Sequence, residues 1–174
     1  ILMCGWKNMN KGKVILAFSM IAVTLTGCGV GDVGGTENAG DEQVIVSQDG
    51  YENSLDGLCK LLSDNEVVSG DAKEMSAGFI GAQKGVKYQF KVKKSMVNAE
   101  VYDYGNEYSQ LDDSAKKIID NAKANETIVI AGEEFPAVVS GEGRYLMIYN
   151  DLSSDKDNVS KANKAKEIVK NFKH

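Results

Sequence analysis

Val86 to Lys93 reads VKYQFKVK, an alternation without error: Val86, Tyr88, Phe90 and Val92 on one side, Lys87, Gln89, Lys91 and Lys93 on the other. A period of two belongs to a strand with one buried and one wet face, so a helix is excluded here. AEVYDY, Ala99 to Tyr104, is rich in strand formers and lies close enough to pair with it as a hairpin. Three further runs, TIVIA, EFPAVVS and RYLMIYN, are separated by AGEE and GEGR and read as a meander joined by glycine turns. Pro136 has no N–H to donate, which predicts a strand start, an edge or a bulge.

Between these runs the period changes to that of a helix. Leu55, Leu58, Cys59 and Leu62 fall at i, i+3, i+4 and i+7 within Tyr51 to Ser63. Ala115, Ile118, Ile119 and Ala122 repeat in the same way behind Asp112, Asp113 and Ser114, which are capping residues. Val159, Ala162, Ala165, Ile168, Val169 and Phe172 supply the stripe of a last helix. SGDAKEMSAGFIGAQKG, before Val86, reads as a short helix or turn ending on glycines. The pattern predicts an α+β fold: one small domain over residues 43–174, with a mostly antiparallel sheet of about five strands and two or three helices packed on one face.

The front of the chain follows other rules. From Met9 the sequence is MNKGK and then an apolar run from Val14 to Leu25, broken only by Ser19 and Thr24. A membrane-crossing helix needs roughly 20 apolar residues, whereas a secretory leader needs about 7 to 15 after a basic start. The run therefore reads as a signal peptide, and it ends on LTGC, Leu25 to Cys28. This tetrapeptide resembles the lipobox of bacterial lipoproteins. The resemblance implies that Leu25, Thr26 and Gly27 are recognised by the lipoprotein signal peptidase. It also implies that Cys28 carries a diacylglyceryl anchor and becomes the new N-terminus, and that the mature protein sits on the outer face of the bacterial cytoplasmic membrane. Two or more acyl chains hold a protein stably where one does not.

The expected organisation is an upstream extension over 1–8, a lipoprotein leader over 9–27, a tether over 28–42 and the domain over 43–174. Glycines at 29, 31, 34, 35 and 40, with few apolar groups between, cannot bury enough surface to fold. GVGDVG in this stretch matches G-x-G-x-x-G formally, but no strand precedes it and no helical pattern follows. FIGAQKGVKYQF and RYLMIYND give the domain a pattern that resembles small uncharacterised lipoproteins of Gram-positive bacteria. That resemblance implies an address and no mechanism.

Composition narrows the function classes. The net charge is −5, and Lys7, Lys11 and Lys13 all precede Cys28, so the remainder is more negative still. A nucleic-acid partner, which requires a basic footprint, is not expected. In the mature protein expected after cleavage, with Cys28 lipidated, Cys59 has no disulfide partner, and its place on a helical stripe predicts a buried apolar role.

The one histidine is His174, so hydrolysis with a histidine base and zinc binding are both disfavoured, and neither an enzyme nor a cofactor is expected. Asp151, Asp155 and Asp157 in DLSSDKDN are a weak calcium candidate, lacking the glycine and closing glutamate of an EF-hand loop; helix capping is the favoured role. Asp112 with Asp113 and Glu133 with Glu134 are assigned to caps and turns rather than acid/base work. Tyr102, Tyr104 and Tyr108 form the densest aromatic cluster. Sheet packing is the favoured reading, and they are also the candidate ligand surface. Lys161, Lys164, Lys166, Lys170 and Lys173 mark a basic face on the last helix, read as solvated, with an anionic membrane or wall polymer as the alternative.

The functional expectation is a lipid-anchored, non-enzymatic binding or protein-interaction module with a protein partner at the cell surface. The alternative is a ligand-sensing accessory subunit of a membrane transport or signalling complex, and a wall-modifying enzyme ranks third.

Overall fold

A computed structural model describes residues 46–105 and 107–173, all within the compact unit Asp41–His174. The leader, Leu25, Thr26, Gly27, the anchor Cys28 and the tether lie outside the described residues. In chain order the elements are α1 (Leu55–Asp64), β1 (Lys73–Met75), β2 (Lys84–Val92), β3 (Ser95–Asp103), α2 (Asp113–Asn125), β4 (Thr127–Ile130), β5 (Glu133–Val139), β6 (Tyr145–Asn150) and α3 (Lys156–Lys170). Short 3₁₀ turns occupy Gly78–Ile80 and Tyr108–Gln110. The fold is α+β, with six strands in the order β1-β2-β3-β6-β5-β4 and every neighbouring pair antiparallel.

Two features differ from the sequence reading. The stretch before Val86 contributes β1, a three-residue edge strand paired to β2 through Glu74 and Val86, so the strands are six rather than about five. The helices do not share one face: α1 and α3 pack on one side, α2 on the other. The physical reason lies in β6, where Tyr145 to Tyr149 are all buried in succession. A strand buried on both sides shows an unbroken apolar run instead of alternation.

On the first face Val86, Tyr88, Phe90 and Val92 of β2 point as their alternation requires, beside Val97, Ala99 and Val101 of β3 and Tyr145, Met147 and Tyr149 of β6. Leu58, Leu61 and Leu62 of α1 and Ala165, Ile168, Val169 and Phe172 cover them. Phe172 meets Tyr145 edge-on, with ring centroids 5.4 Å apart. Val159, expected on the same stripe, is instead 44% exposed. On the second face Ala115, Ile119 and Ala122 of α2 lie over Ile128, Ala137, Val139, Leu146 and Ile148. The small contact residues bring α2 close, and a Cβ added to Gly81 would stand 2.7 Å from that of Ala115.

Each helix starts where a cap allows. Ser54 accepts from the Gly57 N–H at 3.0 Å, Asp112 from Ala115 at 2.8 Å and Asp155 from Asp157 at 3.0 Å. Helix α1 has no basic residue in its last turn, and α3 provides the cations: Lys161 donates to the Glu66 carbonyl and Lys164 to that of Asn65. The chain's one arginine closes the end of the sheet. Arg144 grips Asp103 with Nε at 3.0 Å and Nη2 at 3.1 Å, and its Nη1 donates to the Asn53 carbonyl ahead of α1.

Candidate functional site

Helix α2 and the Gly78–Ile80 turn cover only part of the second face. Beyond Tyr102 and Leu146 the face continues through Glu100, Asn98, Ile148 and Asn150 as the floor of an open cleft of about 300 Å³. Met75, Phe79, Ile130 and Phe135 supply its apolar lining, and Lys87 joins the floor.

Pro136 helps to open this cleft. Ser140 donates to the Tyr145 carbonyl, so hydrogen-bonded pairs between β5 and β6 fall at 140/145, 138/147 and, by alternation, 136/149. Proline has no N–H for the last of these, and the β5–β6 pairing stops at Ala137 opposite Ile148. On its other side Pro136 sits opposite Thr127 of β4, between the bonded neighbours Glu126 and Ala137, where no donor is required. Pro136 thus lies inside β5 but at a local edge, where the strand pairs β4 alone, one of the placements its missing donor leads one to expect. It ends a ladder from within β5, and the start of β5, joined to β4, supplies Phe135 and Ile130 to the cleft.

The floor has a regular layout. Gln89, Asn98 and Asn150 lie in one row across β2, β3 and β6, and Lys87, Glu100 and Ile148 in the next. Lys87 Nζ stands 3.3 Å from Glu100 Oε1, while Tyr102 donates its hydroxyl to Glu100 Oε2 at 2.7 Å. Gln89 donates to Asn98 Oδ1 at 3.2 Å. Phe79 is 56% exposed, yet its ring stands edge-on to Tyr102 with centroids 6.2 Å apart. Gly85 makes room for this arrangement, since a Cβ there would press the Tyr102 ring at 3.0 Å. Burial, and next the bond to Glu100, raise the pKa of Tyr102, so its hydroxyl remains a donor through the neutral range.

The tyrosine cluster therefore does not form a ligand surface. Tyr102 and Tyr104 are fully buried, and Tyr108 is half-buried, donating to Asp120 with Lys123 over its ring. Tyr102 bears on the cleft from beneath, by holding Glu100 and Phe79. The Tyr104 hydroxyl is buried without a hydrogen-bond partner among the described residues, and burial raises its pKa.

The aspartates of the DLSSDKDN segment serve structure. Asp155 caps α3, and Lys93 Nζ lies 2.8 Å from Asp155 and 2.7 Å from Asp157, placing a cation of the chain itself between them. Asp151 accepts from Ser95, Asn158 and the Ser153 N–H. Burial pushes its carboxyl up, but these bonds together hold it below the ordinary value. No group of three or more His, Cys, Asp or Glu suited to a metal occurs among the described residues.

Glu134 accepts from Thr127, and Asp112 is the α2 cap. Beyond the carbonyl bonds of Lys161 and Lys164, Lys170 pairs with Glu126 at 2.7 Å and Lys173 donates to the Gln48 carbonyl, so much of the basic face is engaged within the domain. Cys59 is buried, and burial pushes its thiol up to about 11, which keeps it protonated and unreactive.

Among the described residues that line the cleft there is one carboxylate, Glu100, held by Lys87 and Tyr102. No helix among the described residues is long and apolar enough to cross a membrane. A scan against protein-family models and searches of curated proteins and of solved structures find no match to this chain.

Proposed function

We propose that this chain is a lipid-anchored, extracytoplasmic binding module, non-enzymatic, that holds its ligand in the cleft on the second face of the sheet. The observation that carries the binding role is the uncovered floor of Lys87, Asn98, Glu100 and Asn150 beside an exposed but braced Phe79. Ligand sites combine apolar walls with a few convergent polar groups in this way, and 300 Å³ lies at the lower end of their size range. The anchoring role is supported by the short apolar run that ends on LTGC.

Two measurements test the two halves separately. Expression with an alkyne-labelled fatty acid should label the wild-type chain, and Cys28→Ser should lose the label and accumulate the unprocessed form; an unchanged label would overturn the anchor. For binding, thermal unfolding of the detergent-solubilised chain against sugars, peptides and wall fragments should show at least one stabilising ligand. Ligand at 100 times its Kd adds about 2.7 kcal/mol. Stabilisation that Phe79→Ala and Glu100→Ala both leave intact would place binding elsewhere.

A further inference from the structure

We infer that the occupant of this cleft is a neutral sugar ring, presented by a glycan, and the inference rests on the binding-module reading above. Three features of the floor select that chemistry. Lys87 and Glu100 already neutralise one another at 3.3 Å, so a charged ligand must compete with an existing ion pair. A hydroxyl both donates and accepts, and can bond either member without separating them.

The second feature is the amide row. Asn98 and Asn150 stand directly opposite on β3 and β6. Gln89 occupies one acceptor of Asn98, which leaves its two N–H groups, and the Asn150 carboxamide bonds no side chain among the described residues. Adjacent carboxamides offer paired donors and acceptors at the spacing of neighbouring strands, which suits the several hydroxyls of one ring. The third is Phe79, a flat aromatic face open to solvent and fixed by its perpendicular contact with Tyr102. The C–H face of a sugar ring can lie on it while the ring hydroxyls meet the floor. Tyr102 is the positioning residue, since one buried side chain braces both Phe79 and Glu100.

Extended peptides are captured by unpaired main chain at a sheet edge. The floor at Lys87 and Glu100 offers none, since β2 there pairs both β1 and β3, and β3 pairs both β2 and β6. Main chain is open only at the ends of the rows, on β2 beyond Lys87 and on β6 beyond Ile148, and a peptide is therefore one outcome of the test.

The test is saturation-transfer NMR on the detergent-solubilised chain with cellobiose, lactose, maltose and N,N′-diacetylchitobiose, with trialanine as the peptide probe. At least one disaccharide should receive transfer. Its affinity should fall at least about tenfold in Phe79→Ala and in Asn98→Ala, and persist in Phe79→Trp. Tyr102→Phe keeps the ring and removes the bond to Glu100, and should weaken binding by about 3- to 10-fold. Unfolding midpoints of each variant separate lost binding from lost folding. Transfer to trialanine alone, dependent on Phe79, would overturn the sugar and leave the binding module standing. Transfer to none of the probes would overturn the sugar and remove the chemical ground for the cleft as a site. Disaccharide transfer unaffected by Phe79→Ala and Asn98→Ala would overturn the assignment to this cleft.

Discussion

The two faces of the sheet are made by the same strands and covered very differently. The first face carries Tyr88, Phe90, Tyr145 and Tyr149 and is roofed by two helices and the turn after α3, which together bring leucines, an isoleucine and Phe172. The second is roofed by one helix whose buried contacts are two alanines and an isoleucine, and the roof ends before the sheet does. The first face is a stability element, and the second trades apolar burial for accessible polar chemistry. Among the described residues the aromatic ring that is more than half exposed, Phe79, therefore lies on the side where the roof is incomplete.

The most direct way to break this contrast is to remove the same side chain from each face. Phe172 is buried against Tyr145 on the first face, and Phe172→Ala should cost about 3 to 5 kcal/mol in urea unfolding. Phe79 is open to solvent, and Phe79→Ala should cost less than about 1 kcal/mol. Equal costs would mean that Phe79 belongs to a closed core and that the cleft is not open in solution.

The clamp at the end of the sheet comes next. Arg144→Ala leaves Asp103 buried without its forked partner and frees the Asn53 carbonyl, and should cost about 3 kcal/mol. Arg144→Lys restores the charge but not the fork, and should recover only part of the loss. Full recovery would reduce the pair to simple charge neutralisation and leave the geometry irrelevant.

How much of this contrast could be read from the chain depends on which side of a strand carries the signal. The alternation of VKYQFKVK marks a half-buried strand correctly, and its polar half, Lys87 and Gln89, forms part of the open second face. RYLMIYN carries the complementary signal: five consecutive buried residues in β6 require cover on both sides, which places helices on two faces rather than one. Capping residues gave the starts of α2 and α3 to within a residue or two, because their hydrogen bonds are local, whereas α1, read from Tyr51 on its apolar stripe alone, begins four residues later behind Ser54. The cleft itself was not legible. Asn98 and Asn150 are 52 positions apart and meet only through the β3–β6 register, and Phe79 sits in a 3₁₀ turn with no period to announce it. The tyrosines drew attention as a cluster in sequence, but strand alternation sends Tyr102 inward as a brace, while Tyr104, just past the strand, is buried as well.

Pro136 tests what keeps the second face open. Pro136→Ala supplies the N–H opposite the Tyr149 carbonyl, and the β5–β6 ladder should extend by one bond. We expect slow hydrogen exchange at the new amide, a stability change within about 1 kcal/mol and a narrower cleft that binds more weakly. A fast-exchanging amide at position 136 would show that the packing of Ile130 and Phe135, and not the missing donor, holds β5 away from β6.

The smallest effect is expected at the hairpin that forms the cleft wall. Ala131 and Gly132 join β4 to β5 with φ of 53° and 87°, the left-handed pair of a two-residue type I′ turn. Alanine is strained there, whereas asparagine tolerates the conformation and is the favoured residue before glycine. Ala131→Asn should stabilise the domain by about 0.5 kcal/mol, read as a rise in the unfolding midpoint with unchanged denaturant slope. The side chain at 131 is exposed and does not line the cleft beside Phe79 and Asn98, so binding there should be unaltered. A gain in stability accompanied by altered binding would mean that the β4–β5 hairpin moves when the ligand enters, and that the openness of the second face is set by its turn as well as by the proline.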